Sequence, residues 1–413
     1  MKPINVKFRK LELFYIILTF FLPIIALFSS KALTLLLVIY SLPFIFYSFK
    51  EKKNLKTLFS IKDFNLLKLS ISLFFLWMLI AVSWSPDIVK GFKLWFRILL
   101  LFVIFFIAFK QINKGKSIIL PNDKLLKILT ISIIICLIFY FTERFFGQNI
   151  LNLIKGPNYR LDYIYSSGIC FIAMISWLSI DWAYKNYGKF KAFFLWLFIF
   201  TGIILTISEA AKITFFTSSI IYLLHIISPR LSFRLTSFAG SFCIIIFLLA
   251  PNFLNIQKLS NDFPIPPSQI ARLCMWQYIG KLVLDKPIIG YGFNSSRYLT
   301  DEEEGCVIPV DEAKYNDDLT SNFGIYMHPH NIFLQSLLEM GIIGFSLFFL
   351  LFLSVIFNVS KIKNLNLQRI YLVVFLSYIF IGLIGYGIWQ NWFISALLLA
   401  LLKTHNLLIS KSS

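Results

Sequence analysis

The stretch Met327-His328-Pro329-His330-Asn331-Ile332-Phe333-Leu334-Gln335, continuing through Glu339 and Gly341 to Gly344, marks where a long polar segment runs into a hydrophobic helix. It carries two of the four histidines in the chain. Pro329 suits the first helical position because it has no N–H to leave unpaired and its fixed φ already fits. That places His330 in the first turn, where four N–H groups lack intrahelical partners and, with the macrodipole, attract anions and disfavour imidazolium. His330 is therefore expected to be neutral and able to accept a proton. Asn331, Gln335 and Glu339 recur every four residues and form one polar stripe on an otherwise apolar helix. Such a stripe is costly in a bilayer unless it faces protein or water.

Working outward, the 413 residues are 58% hydrophobic, 18% aromatic and only 14% charged, with a mean hydropathy of +0.78. That excludes an ordinary soluble globule. Apolar runs of about 17 to 25 residues, the length of a membrane-crossing helix, fall near 11–29, 31–49, 65–83, 92–110, 124–142, 161–180, 190–206, 212–228, 235–252, 332–358, 368–386 and 389–406. The expected fold is all-α and polytopic, with twelve transmembrane helices. Nine spans occupy residues 1–252, one long segment occupies 253–328, and three spans with a tail occupy 329–413. The first run follows Lys2, Lys7, Arg9 and Lys10 but is too long for a signal-peptide core and lacks a small-residue cleavage site, so it reads as a retained helix.

A net charge of +19 raises nucleic acid as a partner, but the bases sit in short loops between alternate helices rather than on one face. Those loops are the N-terminus, Lys50 to Lys62, Lys110 to Lys127, Lys185 to Lys191, Arg230 to Arg234, Lys361 to Arg369 and the C-terminus. The positive-inside rule makes all seven cytoplasmic. The 253–328 segment falls on the opposite side and reverses sign, with ten acids against six Lys or Arg. Cys274 and Cys306 share it, where an oxidising compartment would permit a disulfide, although two unpaired thiols are the favoured reading. No zinc spacing is present, and the acidic run Asp301 to Glu304 lacks the spacing of a calcium loop, so no metal or other cofactor is expected.

Several further polar features lie on the outer side. Trp84, in the turn Ser83-Trp84-Ser85-Pro86-Asp87, suits an interfacial anchor. Arg97, two to three turns into the next helix, needs a partner such as Asp87 or a phosphate. Arg160 either snorkels from the end of its span or meets a lipid headgroup. Glu209 and Lys212, three apart after Ser208, form either a plain ion pair or an anion site. Arg272 lies near the start of a helix reaching Leu284 with the spacing of an amphipathic segment on the membrane, ended by Asp285-Lys286-Pro287. Gly290-Tyr291-Gly292 then makes a turn that lets backbone approach something closely, and Arg297 follows.

A neutral histidine with arginines and lysines on one outer face suits glycosyl transfer from a lipid-linked diphosphate. Cations neutralise the leaving group, and a base takes the acceptor hydroxyl proton. Arginine holds phosphate oxygens in a bidentate fork.

The motifs Arg272-x-x-x-Trp276, Pro287-x-x-Gly290-x-Gly292 and His330-Asn331 with Leu334-Gln335, Glu339, Gly341 and Gly344 resemble the O-antigen ligase and O-antigen polymerase superfamily of bacterial glycosyltransferases, as does Trp84-Ser85-Pro86-Asp87. The resemblance implies a GT-C type fold in the bacterial inner membrane, with both termini cytoplasmic and a periplasmic active site. It also implies metal-independent, inverting transfer of a glycan from undecaprenyl diphosphate to a sugar hydroxyl of the lipid A core, by a monomer. His330 is assigned proton abstraction and Arg272 the diphosphate. Lys212, Arg297, Asn331, Arg160, Arg97, Gln335 and His328 are the further substrate-binding candidates. The chain departs from the family at Ser208-Glu209, where ligases carry a Ser-Arg pair; Lys212, one turn on, is the candidate replacement cation. A repeat-unit polymerase and a protein O-oligosaccharyltransferase are alternatives on the same scaffold. A lipid or sugar transporter is disfavoured because the polar features gather at the outer surface rather than the midplane.

Overall fold

The computed structural model describes residues 6–50, 65–113, 122–156, 161–253, 267–299 and 328–409. Among the described residues the secondary structure is helical, without strands. The helices are α1 (Val6–Phe28), α2 (Leu33–Lys50), α3 (Leu66–Val82), α4 (Ile88–Asn113), α5 (Asn122–Phe145), α6 (Asn149–Lys155), α7 (Leu161–Ile204), α8 (Glu209–Ile227), α9 (Pro229–Phe253), α10 (Pro267–Asp285), α11 (Ile332–Ser360), α12 (Leu365–Ile384) and α13 (Asn391–Ile409). Short 3₁₀ turns occupy Ser30–Ala32 and Ser295–Tyr298.

Each expected apolar run lies on one of these helices. The two runs at 161–180 and 190–206 share α7, whose helical path breaks at Gly188 with φ 82°. Among the described residues, eight stretches of helix are by length and composition long and apolar enough to cross a membrane, and Leu66–Val82 is a shorter apolar helix. Large apolar side chains cover the outside, with Phe46, Phe190 and Phe238 among the most exposed. Water would not tolerate so broad an apolar surface.

α12 is the most enclosed helix and packs on α7, α8, α11 and α13. One cluster of charged groups in this interior is paired. Asp181 of α7 accepts from Arg369 Nε at 3.1 Å, from the same guanidinium's Nη2, and from Tyr222 Oη at 3.3 Å, while Lys185 Nζ lies 2.6 Å away. This cluster ties α7, α8 and α12 together near the C-terminal end of α8, and so leaves the start of α8 to the site described next.

Candidate active site

α11 begins three residues later than its proline suggests, at Ile332. Asn331 is the N-cap, with φ −150°, and its side-chain oxygen accepts from the N–H groups of Phe333 and Leu334, each at 3.1 Å. An asparagine satisfying two free donors is the stronger start signal, so Pro329 is not the first helical residue and His330 is not in the first turn. His330 instead adopts a left-handed conformation with φ 54°, which non-glycine residues rarely take. Its neutrality follows from burial rather than from a helix terminus. Desolvation lowers its pKa, the charge of Arg272 adds to that, and a bond to the Gly385 carbonyl opposes both.

That bond sets the tautomer. His330 Nδ1 lies 2.6 Å from the Gly385 oxygen. A carbonyl only accepts, so Nδ1 carries the hydrogen and Nε2 keeps its lone pair. The ring of His328 lies 4.4 Å from that of His330, but its Nε2 faces Gln390 Nε2 at 3.3 Å. Because Gln390 Oε1 accepts from Trp392 Nε1 at 3.0 Å, its amide nitrogen donates to His328. Burial, then the neighbouring His330 and Arg297, push the His328 pKa down to about 3. His328 is thus a neutral, occupied ring that packs beside the candidate base.

Arg272 and Trp276 share one face of α10 because they are four residues apart. Trp276 Nε1 donates to the Pro329 carbonyl at 2.8 Å, which fastens the His328–His330 turn to the helix carrying Arg272. Met275, Trp276, Tyr278 and Ile279 pack against Leu334 and Leu338 of α11. Burial lowers the Arg272 pKa, partly offset by Tyr386 and Glu209, so the start of α8 and the 385–390 loop both face this guanidinium. There Lys212 Nζ pairs with Glu209 Oε1 at 2.8 Å. Tyr386 Oη donates to Ser166 Oγ at 3.4 Å, which donates to Ser208 Oγ at 3.0 Å.

The glycine motif has a specific task. α11 is broken at Gly341, with φ 65° and ψ −170°, and the segment Pro287–Phe293 lies across the break. Tyr291 N donates to Leu338 O at 3.0 Å and Gly292 N to Glu339 O at 2.8 Å, while Ile342 N donates to Pro287 O at 2.8 Å. Trp77 Nε1 of α3 takes the Met340 carbonyl at 3.1 Å. One strap therefore satisfies orphan carbonyls above the break and an orphan N–H below it. A Cβ on Gly290 would lie 2.6 Å from Glu339 C and Leu338 O, and one on Gly292 2.6 Å from Trp84 O and Ser85 Cα. The Trp84-Ser85-Pro86-Asp87 turn is thus the strap's outer wall. Asp87 accepts from Tyr298 Oη at 3.2 Å, next to Arg297.

The polar stripe points inward. Glu339 is fully buried and accepts from Asn294 N at 2.6 Å, Ser296 Oγ at 2.7 Å, Gln335 Nε2 at 2.9 Å and Trp389 Nε1 at 2.6 Å. Gln335 Oε1 in turn accepts from Ile388 N at 3.0 Å.

The structure thus brings together His330, His328, Arg272, Asn331 and Gln335, with Glu209 and its partner Lys212 beside Arg272 and Arg297 facing His328 from an exposed turn. Arg97 is not gathered in: it is exposed on α4, and Asp87 is engaged by Lys90 Nζ at 3.1 Å rather than by Arg97. Arg160, Cys306 and the Asp301 to Glu304 run lie outside the described residues. Cys274 is disulfide-bonded, which corrects the unpaired reading. Among the described residues no cluster of three His, Cys, Asp or Glu side chains is arranged for a metal. Sequence reasoning missed the loop Gly385-Tyr386-Gly387-Ile388-Trp389-Gln390, which supplies the orienting carbonyl and the donors to Glu339 and His328. Its signal was available as a glycine-bearing polar interruption between two apolar runs.

The chain is thus a bundle of apolar helices with a half-buried histidine pair beside Arg272. Residues 193–349, which run from the second half of α7 to the middle of α11, match the family model described as O-antigen ligase, and the chain's resemblance to that family holds there. Three Rickettsia proteins, each named "Putative polysaccharide ligase", are similar to most of the chain. That of Rickettsia conorii is 27% identical over 327 residues, 78% of this chain and 75% of its own. That of Rickettsia typhi is 26% identical over 267 residues, 64% of each chain, and that of Rickettsia bellii 28% over 299 residues, 70% of each.

Proposed function

We propose that this chain is a glycosyltransferase of the O-antigen ligase type in the bacterial inner membrane. It transfers a glycan from undecaprenyl diphosphate to a sugar hydroxyl of the lipid A core at the periplasmic face. The observation that carries this reading is the His330 ring, held by Gly385 in the tautomer that leaves Nε2 unprotonated, beside the charge of Arg272.

The acceptor hydroxyl gives its proton to His330 Nε2 as its oxygen bonds to the anomeric carbon. The bond from that carbon to the diphosphate breaks, and the electron pair leaves on the phosphate oxygen, opposite the incoming hydroxyl, so the anomeric configuration inverts. Arg272 takes the developing charge, with Lys212 and Arg297 as further cations. Asn331, Gln335 and His328 shape the pocket, and the proton on His330 passes to water between turnovers. No metal is needed in this scheme, because guanidinium and ammonium groups do the neutralising.

The scaffold is read as twelve spans of GT-C type acting as a monomer, in three parts: residues 1–252, the periplasmic 253–328 and 329–413. The basic loops put both termini in the cytoplasm. A disulfide-bonded Cys274 supports an oxidising compartment for the segment carrying Arg272.

Deleting the gene and examining the cell's glycans tests the reading. A ligase leaves lipopolysaccharide without long chains while full-length polymer stays on its lipid carrier. Single repeat units on the core would make the chain a polymerase instead.

A further inference from the structure

We infer that Glu339 is a positioning residue that fixes the tautomer of His330 through the 385–390 loop and also anchors the turn carrying Arg297, each carboxylate oxygen accepting one bond from that turn. The inference rests on the reading of His330 as the base, and its test separates the two.

Glu339 is buried on α11 two turns below the cap, and no described cation pairs with it. A buried carboxylate is costly unless its lone pairs are satisfied. Here four hydrogen bonds reach it, and the Asn294 N–H and Trp389 indole, which can only donate, both end on Oε2, so that oxygen acts as an acceptor. Three of the four donors lie outside α11. Asn294 and Ser296 belong to the turn that follows the strap and carries Arg297; Trp389 belongs to the 385–390 loop. The fourth donor, Gln335, reaches that loop as well through Ile388 N. Glu339 and Gln335 thus hold positions 388 and 389, and the loop's first residue, Gly385, takes the proton on His330 Nδ1.

The path is short and polar throughout: carboxylate, indole, three residues of backbone, carbonyl, imidazole. Gly387 leaves the loop little room to shift, since a Cβ there would stand 3.0 Å from His328 and 3.1 Å from Gln335 Oε1. An apolar residue at 339 would fill the space between helices equally well. It would leave the Asn294 amide and the Trp389 indole without an acceptor.

The test uses the full-length protein in lipid nanodiscs with ¹⁵N-labelled histidine, of which the chain has four, the His330 signals being assigned by their loss in His330→Ala. Wild-type protein is expected to show His330 as the Nδ1–H tautomer. Glu339→Gln and Trp389→Phe are each expected to mix in the Nε2–H form. Each should also lower kcat, by about 10²-fold for Glu339→Gln, with donor KM unchanged. The double variant should be no slower than Glu339→Gln alone. An unchanged tautomer in either single variant, or effects that multiply in the double, overturns the inference. Should Glu339→Gln fail to fold, the tautomer in Trp389→Phe decides alone. If the tautomer shifts as expected but His330→Ala stays fully active, positioning of the ring stands and the base reading falls.

Discussion

His330 and Gly385, 55 residues apart in the chain, meet through a 2.6 Å hydrogen bond from the imidazole Nδ1–H to the carbonyl. A ring oriented in this way presents Nε2 outward and resists protonation, because burial and Arg272 both oppose a second charge. α11 starts and α12 ends beside this contact. A base positioned by backbone rather than by a carboxylate gains orientation without gaining a strong pull on its proton.

The strap across the broken helix predicts a sharp difference between glycines. Gly290→Ala would drive a Cβ to 2.6 Å from three backbone atoms, at a left-handed position with φ 68°. Thermal unfolding in nanodiscs should show a loss of about 2 to 4 kcal/mol. Gly147→Ala, with nothing within 4 Å of its Cβ, should lose about 1 kcal/mol, from backbone strain alone. Equal losses at the two sites would mean the close approach does not matter.

Arg272→Lys keeps the charge but not the fork. If Arg272 binds the leaving diphosphate through paired N–H groups, kcat/KM should fall at least about 10-fold in the lysine variant. The membrane level of the protein should stay normal. Wild-type kinetics in that variant would reduce Arg272 to a point charge.

Acidity gives an independent reading of the base. Only neutral His330 accepts a proton, and its pKa lies below the ordinary 6.5 because of burial and then Arg272, against the pull of Gly385. The acid limb of kcat/KM should therefore fall below pH 6.5, leaving activity intact as pH drops through that value. Removing the nearby charge with Arg272→Gln should move the limb upward. A limb above 6.5 in the unaltered protein would contradict the buried environment.

Excess chelator should leave the rate unchanged, since arginine and lysine side chains are assigned the leaving-group charge. A strict magnesium dependence, measured by chelation and add-back, would return the Asp301 to Glu304 run to consideration as a metal site.

Much of this arrangement was legible in the sequence, and the rest failed for identifiable reasons. Hydropathy is a local property, so each apolar run found its helix. The motif resemblance implied that Arg272 and His330 share one site, and the structure places them, with Gln335, near one another. The helix start did not, because Asn331 outcompetes Pro329 as a cap and moves His330 into a left-handed turn. The break at Gly341 was invisible locally: it is stabilised by N–H and carbonyl groups of residues 287–292, some fifty positions away. Arg97 is expected to need a partner such as Asp87 or a phosphate, whereas it is exposed on α4 and Asp87 is engaged by Lys90. The 385–390 loop was read as almost nothing, since two flanking apolar runs left only two residues between them. In the structure six residues lie there, and they orient the base.

The most direct measurement is transfer by purified His330→Ala, with a lipid-diphosphate donor and core acceptor, set beside His328→Ala. Loss of the general base should slow His330→Ala by about 10² to 10⁴-fold with the protein still folded in the membrane. His328→Ala, which removes a packed neutral ring, should retain substantially more activity. Near-normal transfer by His330→Ala, or a greater loss in His328→Ala, would contradict the assignment of His330 as the proton acceptor.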